Sequence, residues 1–172
     1  HYQSALEGAK KERSVLAVDP NSKMEPEVMN WFYQTSFWRD HKDRIEFIPQ
    51  FEIGEYLKQL DRTYSHPLYK VDFLLIYRDE SLLEHKIIIE YDGFREHFRE
   101  LQEVTQYNYR EYYTEEDGYR QKVLESYGYK FLRINKFNIG ELPVATLDER
   151  IRRLIENAKH AEPVLTTIQK TV

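Results

Sequence analysis

Hydrophobic and polar positions divide the chain into segments of two periods. Ile45, Phe47, Pro49, Phe51 and Ile53 alternate with polar neighbours in "RIEFIPQFEIGEYL", the period of a half-buried strand. "YKVDFLLIYRD" (69–79) and "HKIIIEYDG" (85–93) are denser apolar runs, predicted as two strands joined by the polar turn in "RDESLLEH". "YKFLRINKF" (129–137) is a short fourth strand. Helical spacing governs the rest. In "NSKMEPEVMNWFYQTSFW" (21–38), Val28, Met29, Phe32 and Phe37 or Trp38 share one face, Asn21 or Ser22 caps the start, and Pro26 suits the first turn. "TEEDGYRQKVLESYGY" (114–129) predicts a helix with Tyr119, Val123, Leu124 and Tyr127 on its apolar side, ending at Gly128. "TLDERIRRLIENAK" (146–159) predicts an amphipathic helix capped by Thr146, with Ile151, Leu154 and Ile155 inward.

The resulting order is α, β, β, β, α, β with helical additions at both ends, an α/β pattern. Residues 1–20 read as a short helix and linker that breaks at Asp19-Pro20, 21–160 as the main domain, and 161–172 as a loose tail. The stretch from Lys58 to His66 reads as an exposed excursion, and "FREHFRELQEVTQYNYREYY" (94–113) as a partly helical insertion or lid. A length of 172 residues suits one domain with a sizeable core. No apolar run approaches the roughly 20 residues of a membrane span, the first residues are too polar for a secretory signal, and there is no cysteine. Those features predict an intracellular, cytoplasmic protein with no membrane association. Because the chain opens on His1, additional domains of a larger parent protein are expected; oligomeric state is not legible.

Candidate chemistry begins with acids placed where burial is expected. Asp72 interrupts the apolar run "KVDFLLI", and an isolated buried carboxylate needs a proton, a partner or a metal. Eighteen positions later Glu90 closes the next strand, and a hairpin brings the two close on adjacent strands. Asp92 follows on the same side if the strand continues. Oxygen ligands grouped in this way suit Mg²⁺ or Mn²⁺ rather than zinc. A net charge of −5 taken alone argues against a nucleic-acid partner, but an acid-built metal site carries that sign itself. The 14 tyrosines, many of them between residues 91 and 129, serve either packing or base stacking.

These residues, in the order "KVDFLLI … IIIEYDGFREHF … EDGYRQKVLESYGYKFLRI", resemble the PD-(D/E)xK nuclease superfamily. The likeness is to the branch that includes very-short-patch repair endonucleases and helicase-associated nuclease-like domains. The resemblance covers roughly residues 22–136. It implies a restriction-endonuclease-like αβββαβ core, a central mixed four-stranded sheet flanked by helices, with extra terminal helices. It further implies a metal-dependent endonuclease that hydrolyses DNA phosphodiester bonds with Mg²⁺ or Mn²⁺. Asp72 would be the central metal ligand, with Glu90 and Asp92 beside it. Glu25 would reach the site from the first helix, with Glu27 as its rival. His97 would be a general base or phosphate contact. Gln50, Arg95, Arg120, Lys122 and Arg133 would contact nucleic acid, although Gln50 and Arg133 also suit structural roles. Asp92 stands where the superfamily name promises a lysine, which leaves Arg120, Lys122 or His97 to supply the missing cation. The alternative is a catalytically inactive nuclease-like module that binds nucleic acid or a protein partner.

Overall fold

The computed structural model describes residues 24–93 and 114–171, with side chains described as far as residue 160. The predicted helix of residues 1–20 lies outside them. The elements are α1 (Glu25–Gln34), α2 (Ser36–His41), a 3-10 turn (Lys42–Arg44), β1 (Ile45–Phe51), α3 (Ile53–Leu60), β2 (Val71–Arg78), β3 (Glu84–Tyr91), α4 (Glu115–Ser126), β4 (Lys130–Ile134) and α5 (Pro143–Thr171). The strands form one mixed sheet in the order β1-β2-β3-β4, antiparallel except for the parallel β3–β4 pair.

Strand alternation sorts the core into two layers, one on each face of this sheet. Phe73, Leu75 and Tyr77 of β2, Ile87 and Ile89 of β3, and Leu132 and Ile134 of β4 pack against Val28 and Phe32 of α1, Phe37 of α2, and Leu147, Ile151 and Ile155 of α5. Leu74, Ile76 and Ile88 face the other way, against Ile53, Tyr56 and Leu57 of α3 and Leu124 of α4. The protein is thus an α/β fold with helices on both faces of a four-stranded sheet.

Four local expectations are corrected. The period-two pattern does not continue to Ile53, which opens α3 instead; Ile53, Tyr56 and Leu57 bury one helical face. The 21–38 helix breaks at Thr35, whose extended backbone (ψ 149°) ends α1. Its hydroxyl accepts the Trp38 N–H at 3.1 Å, and this side-chain cap starts α2. Thr146 is not a cap, since α5 begins at Pro143 and the Thr146 N–H already donates to the Leu142 carbonyl at 3.0 Å. Tyr119 is 57% exposed rather than inward, because it lies on the opposite side of α4 from buried Leu124. In addition, α5 continues through Thr171, so the segment expected to be a loose tail is helical.

An aromatic column ties the first helix to the sheet: Phe32 stacks on Phe47 at 3.9 Å between centroids, and Phe47 on Phe73 at 5.0 Å. Phe73 is fully buried one residue after Asp72. Phe73→Ala is expected to destabilise the fold by about 3–5 kcal/mol in denaturant melts, with the slope unchanged. A loss below about 1 kcal/mol would contradict this packing.

Candidate active site

The sheet register sets four polar side chains abreast. Pro49 pairs with Phe73 and Phe51 with Val71, which puts Gln50 opposite Asp72. Phe73 pairs with Ile89, and that register continued by one residue puts Asp72 opposite Glu90. Glu90 in turn pairs with Arg133. By alternation from Leu74, Ile88 and Phe131, Asp72, Glu90 and Arg133 belong to the face that packs on α3 and α4, whereas the left-handed backbone at Gln50 breaks the alternation in β1. A polar row therefore crosses the sheet at one level, at the ends of strands otherwise built from isoleucine, leucine and phenylalanine.

Asp72 and Glu90 form the centre of the row. The Tyr91 N–H donates to Asp72 Oδ2 at 2.9 Å, and the Asp72 N–H reaches Glu90 Oε2 at 3.4 Å. Burial, and next the charge of Glu90, push the Asp72 carboxyl up to about 10; Glu25 adds in the same direction. Asp72 is then protonated at neutral pH and shares its proton with the carboxylate beside it. Such a pair behaves as two acids that cannot both ionise without a further cation.

One cation is supplied from α4. Arg120 Nη2 donates to Glu90 Oε1 and, at 2.7 Å, to the Lys70 carbonyl two residues before Asp72; Nη1 lies 3.8 Å from Asp117. Burial works against the charge of this guanidinium, but Glu90, with Asp117 and Asp72, more than offsets it and holds the group above its usual range. The helix that carries Arg120 is fixed at its start by Thr114, whose hydroxyl accepts the Asp117 N–H at 3.2 Å.

Glu25 approaches the row from α1. It is buried, and the Gln50 side-chain amide donates to it at 2.5 Å. Glu27, its rival from the sequence, is exposed. Gln50 itself has φ +52°, a left-handed backbone that costs a non-glycine residue of order 1 kcal/mol or more. Gln50 thus meets Glu25 rather than solvent.

Asp92 is held by an ion pair with Arg133. Its side chain is fully buried and bonded to Arg133 Nη1 at 2.8 Å, while its N–H donates to the Ile134 carbonyl. Strand β3 ends at Tyr91, one residue before Asp92. Arg133 also donates to Gln121 at 2.7 Å, so it braces α4 and β3 against β4. Among the described residues, no group of three or more acids or histidines is arranged to hold a metal. Lys122 is exposed on α4 and is not part of the row. Arg95 and His97 lie outside the described residues. The site also contains a partner that the sequence did not point to: the Lys70 carbonyl, a backbone atom with no residue-type signal, fixes Arg120.

Comparisons with protein-family models, with curated proteins and with solved structures find no match for this chain.

A pH experiment tests the shared proton. Between the ordinary carboxyl value of 3.8 and the folded value of about 10, the folded chain holds a proton at Asp72 that the unfolded chain releases. That contribution to stability is complete below about pH 4 and is lost as pH rises toward 10. Asn keeps an oxygen for the Tyr91 N–H and a donor for Glu90 but does not titrate. In EDTA, Asp72→Asn is expected to melt higher than the parent protein at about pH 8–9, with the gain shrinking toward pH 4. A variant that melts lower at every pH would contradict the shared proton.

Proposed function

We propose that this chain is a metal-dependent endonuclease that hydrolyses DNA phosphodiester bonds on a restriction-endonuclease-like core. The observation that carries the reading is the Asp72–Glu90 pair, abreast at the ends of neighbouring strands, Glu90 buried and Asp72 half-buried and held neutral. A fold that needed these positions only for packing has no use for two carboxyls there. With α2, α3 and α5 counted as additions, the order α1, β1, β2, β3, α4, β4 is compatible with the αβββαβ plan on which the resemblance rests.

The donor set fits Mg²⁺ or Mn²⁺ held by Asp72 and Glu90, since Mg²⁺ commonly keeps several waters and takes one or two carboxylates plus a substrate phosphate. When bound, the ion would activate water and neutralise charge developing on the phosphate. The chain's own residues do the remainder. Arg120 stands beside the pair as the cation that the Asp92 position lacks, close enough to answer a phosphate oxygen once Glu90 is occupied. Glu25 and Gln50, bonded to each other, close the other flank, and the charge of Glu25 bears on Asp72. Asp92 and Arg133 hold β3 to β4 so that Glu90 stays level with Asp72. His97 is the proposed general base.

A second reading, a catalytically inactive module that binds nucleic acid or a protein partner, draws on one observation. Glu90 is answered by Arg120, Asp92 by Arg133, and Glu25 by Gln50, so the acids are matched within the chain. Oligonucleotide cleavage separates the two. Under the first reading, Mg²⁺ or Mn²⁺ supports cleavage that EDTA abolishes, and Asp72→Asn and Glu90→Gln each lower it by about 100-fold or more. Metal-independent background cleavage in the parent protein, with DNA still bound, would favour the second.

A further inference from the structure

The loop between α3 and β2 and the exposed side of α4 bring three rings together next to the acid pair. His66 and Tyr69 stack with centroids 4.7 Å apart and planes 3° from parallel. Tyr119 meets His66 edge-on at 5.6 Å and 78°. Arg120 lies over the Tyr69 ring at 5.7 Å, and the same guanidinium is bonded to Glu90. One side chain therefore touches both the ring cluster and the acid pair.

The cluster faces solvent. Tyr119 is 57% exposed, His66 and Tyr69 are half-buried, and Leu68, in the same loop, is 93% exposed. Tyr69 packs in part against the core of this face, but the exposure of Tyr119 and Leu68 is not explained by that core. The segments that build the cluster also carry exposed Arg62, Lys70 and Lys122, with Glu116 as the acid whose charge reaches Tyr69.

The loop that presents the rings is held in place at several points. Gly54 N–H donates to the Tyr69 carbonyl at 2.9 Å, and Tyr69 N–H to the His66 carbonyl at 3.2 Å. Lys58 Nζ binds the Arg62 and Tyr64 carbonyls at 2.7 and 3.1 Å, and the Tyr127 hydroxyl donates to Asp61 at 2.8 Å. A Cβ at residue 54 would stand 2.4 Å from the His66 carbonyl oxygen, so only glycine lets the loop sit this close to α3. A surface fixed before binding loses little entropy on binding.

We infer that His66, Tyr69 and Tyr119 form a stacking platform for an unpaired nucleobase, so that the substrate of the Asp72–Glu90 site is single-stranded DNA or a strand opened beside the scissile phosphate. Every base offers a π-face, so this platform stacks without regard to sequence. A base inside a duplex is already stacked on both faces, and the platform discriminates against it. Arg120 joins the two parts, its guanidinium over the Tyr69 ring and bonded to Glu90. This inference rests on the nuclease reading only for where the neighbouring phosphate goes; the stacking itself needs no chemistry.

The test is binding without cleavage. Anisotropy of fluorescein-labelled oligothymidylate is measured in EDTA, beside a duplex of equal length, and an oligonucleotide with one 2-aminopurine reports stacking through quenching. The parent protein is expected to prefer the single strand and to quench 2-aminopurine. Tyr119→Ala and Tyr119→Leu are expected to weaken single-strand binding by about tenfold and to lose the quenching, whereas Tyr119→Phe retains both. Tyr119 is exposed, so these variants are expected to fold, and His66→Ala provides a second probe. Binding equal for single strand and duplex, or unchanged in both Tyr119→Ala and His66→Ala, would overturn the platform. The nuclease reading fails separately: if the parent protein never cleaves with Mn²⁺ while Tyr119→Ala still loses binding and quenching, the platform stands without it.

Discussion

Two carboxyl groups set opposite each other on adjacent strands would repel strongly if both were ionised in the low-dielectric interior. This protein keeps such a pair by giving Asp72 a proton and the Tyr91 N–H, and by giving Glu90 the guanidinium of Arg120. The rest of the structure near the site follows from that requirement. Arg120 reaches Glu90 only because α4 lies on this face of the sheet, and it is steadied by a carbonyl of the loop leading into β2. That loop in turn keeps its path because residue 54 has no side chain. The strands beneath, dense in isoleucine and leucine, fix the level of the two acids through register rather than through direct restraint.

A second ionic pair guards the same geometry from the other side. β4 is the one parallel neighbour in the sheet and pairs with β3 over five residue positions. Asp92 and Arg133 fasten these strands where β3 ends, and Arg133 also reaches Gln121 on α4. The chain thus spends its second acid on holding the first in place. The left-handed backbone at Gln50 belongs to the same pattern, since strain in a strand is held only where surrounding contacts impose it.

The strands, the α/β order and the closeness of Asp72 and Glu90 were legible because each depends on short-range periodicity: two apolar runs, a polar turn and a period of two. Tyr91 as the end of β3 is not legible, because the pattern Glu-Tyr-Asp-Gly has no mark that says where the strand stops, and neither is the bond of Asp92 to Arg133. Ile53 is ambiguous for a related reason, as an apolar residue after a strand fits either another strand position or the first turn of a helix. The break at Thr35 has a mark, a threonine able to cap, but the apolar stripe on either side hides it. Arg120 was among several candidate cations, and its choice depends on the Lys70 carbonyl, which no residue identity reveals. The His66–Tyr69–Tyr119 cluster joins residues about 50 positions apart, beyond what local spacing reports.

The claim at the centre is that Asp72 and Glu90 are a place for a divalent cation. Crystals soaked in Mn²⁺ and measured for anomalous scattering address it most directly. One strong peak is expected within about 2.0–2.6 Å of a carboxylate oxygen from each of Asp72 and Glu90, and none at Asp92, which stays with Arg133. No peak at the pair in a fully soaked crystal, or a peak bound by Asp92 with Arg133 displaced, would contradict it.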